Sequence, residues 1–362
     1  MLEQTSFNVR KLILAGDQGT CGGVRMADQA TREVLARVDR RRPVVTLWDV
    51  INNVPYMEEM RSLGLTSLED LIPDKQKSPD LLANMRAYLP TQAVVILPAH
   101  GSYPKLYDII QEKDCLPIDV TCQLVSTVQR GAEKAVDKGI WPVYGGVENH
   151  PETNSVIKRL PEGSFTFVDV RKINAMESGE RDDYLSGLGI PDDQPIVLLD
   201  QTTLSPADVK QLATWLKNRF PKMIPPTRVL NNICPAMENR WNSVAEMTES
   251  GMIDLLLVTG SQHSHNSQEL RKKGEQDVLH AYSVDRPDEI DLRWFTKAIT
   301  RVGLTAGASV FPNVLDPVKN WFIQQNPDIQ VVQLKGKEDR SQVFVLPKKQ
   351  LDNIEAFIQR AA

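Results

Sequence analysis

Short apolar runs recur along the chain, and most lead through small or polar residues into helical spacing. KLILAG (11–16) reads as a buried strand, GDQGTCGG as a glycine-rich turn, and 24–38 as a helix. PVVTLW (43–48) and QAVVILPA (92–99) are the next strands, with a charged helical stretch and a proline-bearing loop between them. A helix pattern over 123–136 precedes WPVYGG (141–146), FTFVDV (165–170) and PIVLLD (195–200), three further strands. ESGERDDYLSG, between the last two, reads as a solvated surface segment. Ser205 and Pro206 mark a helix start, as N-cap and first helical residue. MIDLLLVTGS (252–261), RVGLTAGAS (301–309), VVQL (331–334) and QVFVL (342–346) complete the strands, and FPNVLDPVKNWF and 348–360 read as helices. Strand and helix alternate in every third of the chain, with polar loops after the strands. That predicts an α/β protein without a close sequence repeat.

At 362 residues, two or three domains are expected. The apolar share of 41% and charged share of 25% are those of a globular protein. A formal charge of −5 gives no support for a nucleic-acid surface, and Arg40-Arg41-Arg42 reads as a solvated helix end. No apolar run approaches the ~20 residues of a membrane helix. Residues 1–10 read as a flexible polar leader without a signal-peptide pattern. Four cysteines in such a chain argue for a reducing, cytoplasmic setting rather than disulfides.

Cys21, Cys122 and Cys234 fall one in each third of the chain, each just before a plausible helix. A thiolate is favoured at a helix N-terminus. Three such ends converging could hold a metal cluster with one position open, although small buried cysteines are also common. The turn at Cys21 is no Walker loop, because the Gly-Lys-Ser/Thr ending is missing. His100 and Gly101 follow a strand, where ligands gather in parallel α/β sheets. His150 and Glu152 flank Pro151 at a helix start, where a glutamate can also serve simply as a dipole-favoured first-turn residue.

The motifs GTCGGV, AHG, DVTC, HPE, QTTLS, IC with NR five residues later, HN in GSQHSHNS, and TAGAS stand in this order over roughly residues 11–346. Together they resemble the 4-hydroxy-3-methylbut-2-enyl diphosphate reductase family. The resemblance implies three pseudo-equivalent α/β lobes in a trefoil around a central iron–sulfur cluster. The lobes would be 11–121, 122–233 and 234–346, with strand 11–16 completing the third and 347–362 forming a C-terminal helix. Cys21, Cys122 and Cys234 would hold a [4Fe–4S] cluster with one open iron, able to act as a Lewis acid. Cys115 matches no ligand. Glu152 would deliver the proton that lets a hydroxyl leave as water, and Thr202 would orient the substrate alcohol or relay its proton. Gln201 and Thr203 match neighbouring motif positions. His100, His150, Ser264, Asn266 and Ser309 would bind diphosphate, which can keep a histidine cationic. His263 and His280 match no functional position.

The sequence also departs from the family. Asn52 stands where the family has a pocket histidine, and His265 replaces the second of two serines. Thr20, Pro235, Ala236, Met237, Glu238 and Trp241 differ around the first and third cysteines. The expected reaction is reductive dehydroxylation of the allylic diphosphate to isopentenyl and dimethylallyl diphosphates. Ferredoxin or flavodoxin would donate the electrons, and the protein would be a monomer or weak dimer without nucleic-acid or membrane partners. Asn52 and His265 leave open a different allylic substrate. A non-catalytic redox sensor is the remaining alternative, against which Glu152 and Thr202 argue, since a sensor needs neither.

Overall fold

The computed structural model describes residues 7–39, 41–73, 78–190, 194–224, 234–261, 264–278, 280–337 and 348–360, without the side chains of His265, Leu351 and Arg360. β1 (Lys11–Leu14) leads through the Cys21 loop into α1 (Gly22–Arg37). Next come β2 (Val44–Thr46), α2 (Val54–Ser62), β3 (Leu65–Ser67), α3 (Leu81–Tyr88), β4 (Val94–Leu97), α4 (Pro104–Glu112) and β5 (Leu116–Asp119). Then follow α5 (Gln123–Asp137), β6 (Trp141–Gly146), α6 (Pro151–Ile157), β7 (Thr166–Asp169), α7 (Val170–Ala175), α8 (Ser178–Ser186), β8 (Ile196–Asp200) and α9 (Pro206–Arg219). The last stretch holds α10 (Pro235–Glu249), β9 (Leu255–Thr259), α11 (His265–Asp277), β10 (Ala281–Val284), β11 (Arg301–Ala306), α12 (Pro312–Gln325), β12 (Gln330–Gln333) and α13 (Lys348–Arg360).

Among the described residues the strands form three sheets, ordered β10-β9-β11-β1-β12, β3-β2-β4-β5 and β7-β6-β8. Every pairing is parallel. β1 lies between β11 and β12, with Leu12 in register with Val302 and Val331. The chain packs as two compact units. Met1–Arg25, Ile51–Glu59 and Pro235–Val343 carry the five-stranded sheet. Met26–Val50, Met60–Cys234 and Phe344–Ala362 carry the other two.

Parallel sheets are covered on both faces, so their inner strands are apolar throughout rather than alternating. The inner strands β9 and β4 are buried at every position. In the first unit Leu12, Leu257 and Leu304 pack with Phe295 and Phe322. In the second, Val143, Val168 and Leu198 pack against Leu212 and Leu216 of α9. Ser205 caps α9 by accepting from the Asp208 amide, with Pro206 first in the helix.

Three short strands, β3, β5 and β10, escape the apolar pattern. β3 has three residues, β5 carries Pro117, and β10 is half-exposed at its centre. All three are sheet edges, where proline and polar side chains are tolerated. The segment ESGERDDYLSG, expected at the solvated surface, is largely helix α8. It is solvated, with Leu185 its buried residue, and is held to α9 by the Arg181 guanidinium 4.0 Å above the Trp215 ring. The expected strand at 342–346 lies outside the described residues.

Candidate active site

In the second unit the site is built around Glu152. β6 ends in two glycines, the loop turns through Asn149 at φ 62°, and His150 caps α6. The cap bond runs from the Glu152 amide to His150 Nδ1, at 3.2 Å. A ring nitrogen accepts only when it carries no proton, so neutral His150 presents its proton at Nε2. Glu152 itself is 1% exposed. Its carboxylate accepts from the Thr202 amide at 2.6 Å and the Thr202 hydroxyl at 3.0 Å. Burial lifts its pKa to about 7, against the lowering pull of those two bonds. Near neutral pH this acid is therefore divided between a proton-holding and a proton-accepting form.

Gln201 locks the two motifs together. Its Oε1 accepts from the Val147 amide at 3.0 Å, and its Nε2 donates to Thr203 Oγ1 at 2.8 Å. The AHG loop joins from the other side. Gly101 has φ 91°, and a Cβ there would stand 2.7 Å from Ser155 Oγ, so only glycine fits. Gln129 bridges the same gap, donating to Ser155 Oγ at 3.1 Å, and Ser155 in turn donates to the Glu152 carbonyl at 2.8 Å. His100 then lies edge-on to His150, ring centroids 5.7 Å apart. Its outer edge is partly exposed, but Nδ1 is buried without a partner among the described residues. Burial pulls its pKa down to about 4. In the protein alone this burial favours the neutral imidazole, and the cationic form expected from the sequence is one that a neighbouring diphosphate would sustain.

The first unit carries candidate anion ligands at the start of α11, in the loop after β11 and just before α2. Ser264 is its N-cap, and its hydroxyl does not bond the helix it precedes. Asn266 Oδ1 and Ser309 Oγ are buried without partners among the described residues. Ser267, which the sequence reading missed, is likewise buried and unpartnered, fitted against Gly260 and Gly307. Asn52 is half-buried, and its neighbour Asn53 fixes the segment. Asn53 Nδ2 donates to the Ser309 carbonyl at 2.9 Å, while its Oδ1 accepts from the Tyr56 amide at 2.9 Å. Tyr56 stacks on Phe311 with centroids 5.4 Å apart. His265 is the first residue of α11, and its side chain, like His263, lies outside the described residues. His280 stacks beside Tyr282, away from these groups in sequence and partners.

Each of the three cysteines directly precedes a helix, α1, α5 or α10. The amide of each donates to a loop bearing a candidate substrate group. Cys21 bonds Ala308 O at 3.1 Å, beside Ser309; Cys122 bonds Ala99 O at 3.0 Å, beside His100; Cys234 bonds Thr202 O at 2.9 Å. All three thiols are half-buried, and Cys21 Sγ accepts from the Val24 amide at 3.4 Å. Cys115 contrasts with them. It is buried, donates to Pro90 O at 3.2 Å, and burial pushes its thiol pKa up. Among the described residues no three His, Cys, Asp or Glu side chains form a single-ion metal site.

Several sequence departures have local structural explanations. Pro235 opens α10 and Glu238 lies in its first turn, both favourable there. Trp241 lies under Lys273 Nζ at 4.8 Å, as part of the α10–α11 packing. A second buried carboxyl was missed: Asp200, at the end of β8, has Oδ1 unpartnered among the described residues and a pKa raised by burial to about 8.

The family model described as "LytB protein" matches residues 12–322 of this chain. A 4-hydroxy-3-methylbut-2-enyl diphosphate reductase of Zymomonas mobilis is 30% identical over 337 residues, covering 93% of this chain and 88% of the relative. The protein of the same name from Desulfotalea psychrophila is 27% identical over 327 residues, covering 90% and 93%. The solved E-1-hydroxy-2-methyl-but-2-enyl-4-diphosphate reductase of Plasmodium falciparum shares the fold, with TM-score 0.79 at 22% identity over 98% of this chain and all of that one. A second solved structure, described as the terminal enzyme of the non-mevalonate pathway, gives 0.56 at 22% identity, covering 87% of this chain and all of that one.

Proposed function

This chain belongs to the LytB protein family, and from that premise we propose the activity its relatives are named for. It is an oxidoreductase that reduces 4-hydroxy-3-methylbut-2-enyl diphosphate. The C–O bond to the hydroxyl breaks, two electrons and two protons enter, and water leaves with isopentenyl or dimethylallyl diphosphate as the other product. The observation that carries this reading is the run Glu152–Thr202–Cys234. A buried acid balanced near neutrality bonds a threonine whose carbonyl is bonded by a cysteine amide.

Cys21, Cys122 and Cys234 are the proposed ligands of a [4Fe–4S] cluster. The donor set fits: three half-buried soft thiols, each before a helix and amide-tied to a candidate substrate loop, while Cys115 is a protonated hydrogen-bond donor. A bound cluster of this kind supplies single electrons and a Lewis-acidic iron. The protein's own part is proton delivery and binding. Protonated Glu152 can hydrogen-bond to Thr202 Oγ1, which frees the threonine hydroxyl proton for the substrate oxygen. The Ser309 hydroxyl, the side-chain NH2 of Asn266, the amides at the start of α11 and the Nε2 proton of His150 are the proposed diphosphate donors, with His100, Ser264, Thr203, Asn52 and His265 as further candidate substrate ligands. Ferredoxin or flavodoxin donates the electrons to a cytoplasmic monomer or weak dimer.

The test is turnover of the diphosphate by anaerobically reconstituted protein with a one-electron donor, alongside iron and sulfide counts. Product formation is expected. An intact cluster without product sinks the substrate assignment. Asn52 and His265 favour one other reading, the same chemistry on a different allylic alcohol. In that case the double change Asn52→His, His265→Ser creates diphosphate turnover, and strong parent turnover rules this reading out.

A further inference from the structure

Helix α10 holds a charge that no substrate-binding or proton-transfer step uses. Arg240 is 3% exposed. Its Nε and Nη2 both donate to the Gly19 carbonyl, at 2.9 and 2.5 Å, and Nη1 donates to the Ala236 carbonyl at 2.6 Å. One turn on, the Ser243 hydroxyl accepts from the Asp17 amide at 3.0 Å. Helix α10 therefore clasps the loop that carries Cys21 at two points.

A guanidinium cannot shed its proton in a protein. Among the described residues Arg240 forms no ion pair, and its hydrogen-bond acceptors are backbone carbonyls. Asp17, the acid on the clasped loop, instead accepts from the Lys337 amide and the Ser243 hydroxyl. A buried cation held by carbonyl dipoles alone is incompletely compensated. The carbonyl it grips belongs to Gly19, two residues before Cys21.

We infer that Arg240 is a positioning residue for the iron–sulfur centre: it fixes the Cys21 loop and is the countercharge that favours the electron-rich state of the cluster. This rests on Cys21 being a cluster ligand. One electron from an external one-electron donor makes a thiolate-bound cluster more negative. A fixed buried cation stabilises that form, and Arg240 itself exchanges neither proton nor electron.

The experiment is an anaerobic redox titration followed by electron paramagnetic resonance, with iron and sulfide counts and circular dichroism on each protein. Arg240→Gln and Arg240→Met remove the charge, whereas Arg240→Lys keeps it without the fork. The neutral variants should show at least a tenfold lower ratio of reduced to oxidised cluster at fixed potential, a downward shift of about 59 mV for one electron. The lysine variant should stay near the parent. Folded neutral variants that assemble no cluster, beside a lysine variant that does, support the same assignment. An unshifted potential in a neutral variant overturns it, as does a lysine variant shifted as far as the neutral ones, or a folded lysine variant without cluster. Should neither neutral variant fold, the lysine variant decides: the parent's potential supports the charge role and a displaced one overturns it. A parent protein without iron and sulfide defeats the cluster reading itself, which is a separate and recognisable failure.

Discussion

The two units solve different electrostatic problems. In the second, Glu152, Thr202, Gln201 and Gln129 are knitted to one another, and the central acid already has two hydrogen bonds. In the first, Ser309, Asn266 and Ser267 keep buried oxygens unpartnered among the described residues. A proton donor must be held still and kept dry so that its pKa sits near the working pH. The Ser309 and Ser267 hydroxyls can donate to an anion, and an anion site does better with such donors left uncommitted, because each bond they made internally would have to be broken on binding. The proposed acid region is therefore preorganised by bonds made, and the proposed anion region by bonds withheld.

The sharpest way to break this contrast is Glu152→Gln, which should lower kcat by about 10²–10⁴-fold with little change in KM, read by steady-state kinetics. Comparable loss in KM alone would place Glu152 among the binding groups. Next in size is the pH profile. The donating form of Glu152 is lost above its pKa of about 7, so kcat should fall about tenfold per pH unit beyond it. A profile flat to pH 9 would assign proton delivery elsewhere.

For the anion region, Ser309→Ala and Asn266→Ala should raise KM, each by about two- to tenfold, from hydrogen bonds of roughly 0.5–1.5 kcal/mol, and leave kcat nearly unchanged. A kcat effect as large as that at Glu152 would erase the division. The smallest effect concerns stability. Burial lifts the folded pKa of Glu152 to about 7 and of Asp200 to about 8, above the ordinary carboxyl values of 4.5 and 3.8. The folded protein thus binds more protons than the unfolded chain across that window, and stability falls as pH rises from about 4 to about 8. Asp200→Asn should flatten part of that slope in melting curves at pH 5 and pH 8, while leaving kcat within about threefold. An unchanged slope would mean that Asp200 gains a partner the static geometry lacks.

Much of this was legible from residue order alone. The long apolar runs became strands, and the sequence around Cys21, Cys122 and Cys234 placed each just before a helix. Trp241 shows the opposite case: it stood out as a departure near the third cysteine, but its ring serves Lys273 and the packing of two helices. β3 and β5 were missed because short edge strands need little apolar patterning. Ser267 and Asn53 were missed because their roles depend on neighbours far away in the chain, Gly307 for one and Ser309 for the other.

The sequence by itself determined the alternation of elements, the cysteine positions and the candidate acid, Glu152, because local patterns and motif order reside in the chain. It could not decide the ionisation of Glu152 and His100, or which hydroxyls are left unpartnered. Those properties arise from burial and from hydrogen bonds between residues distant in sequence, such as the Thr202 amide on Glu152. Only the folded chain brings such groups together and removes the water that would otherwise set their charge.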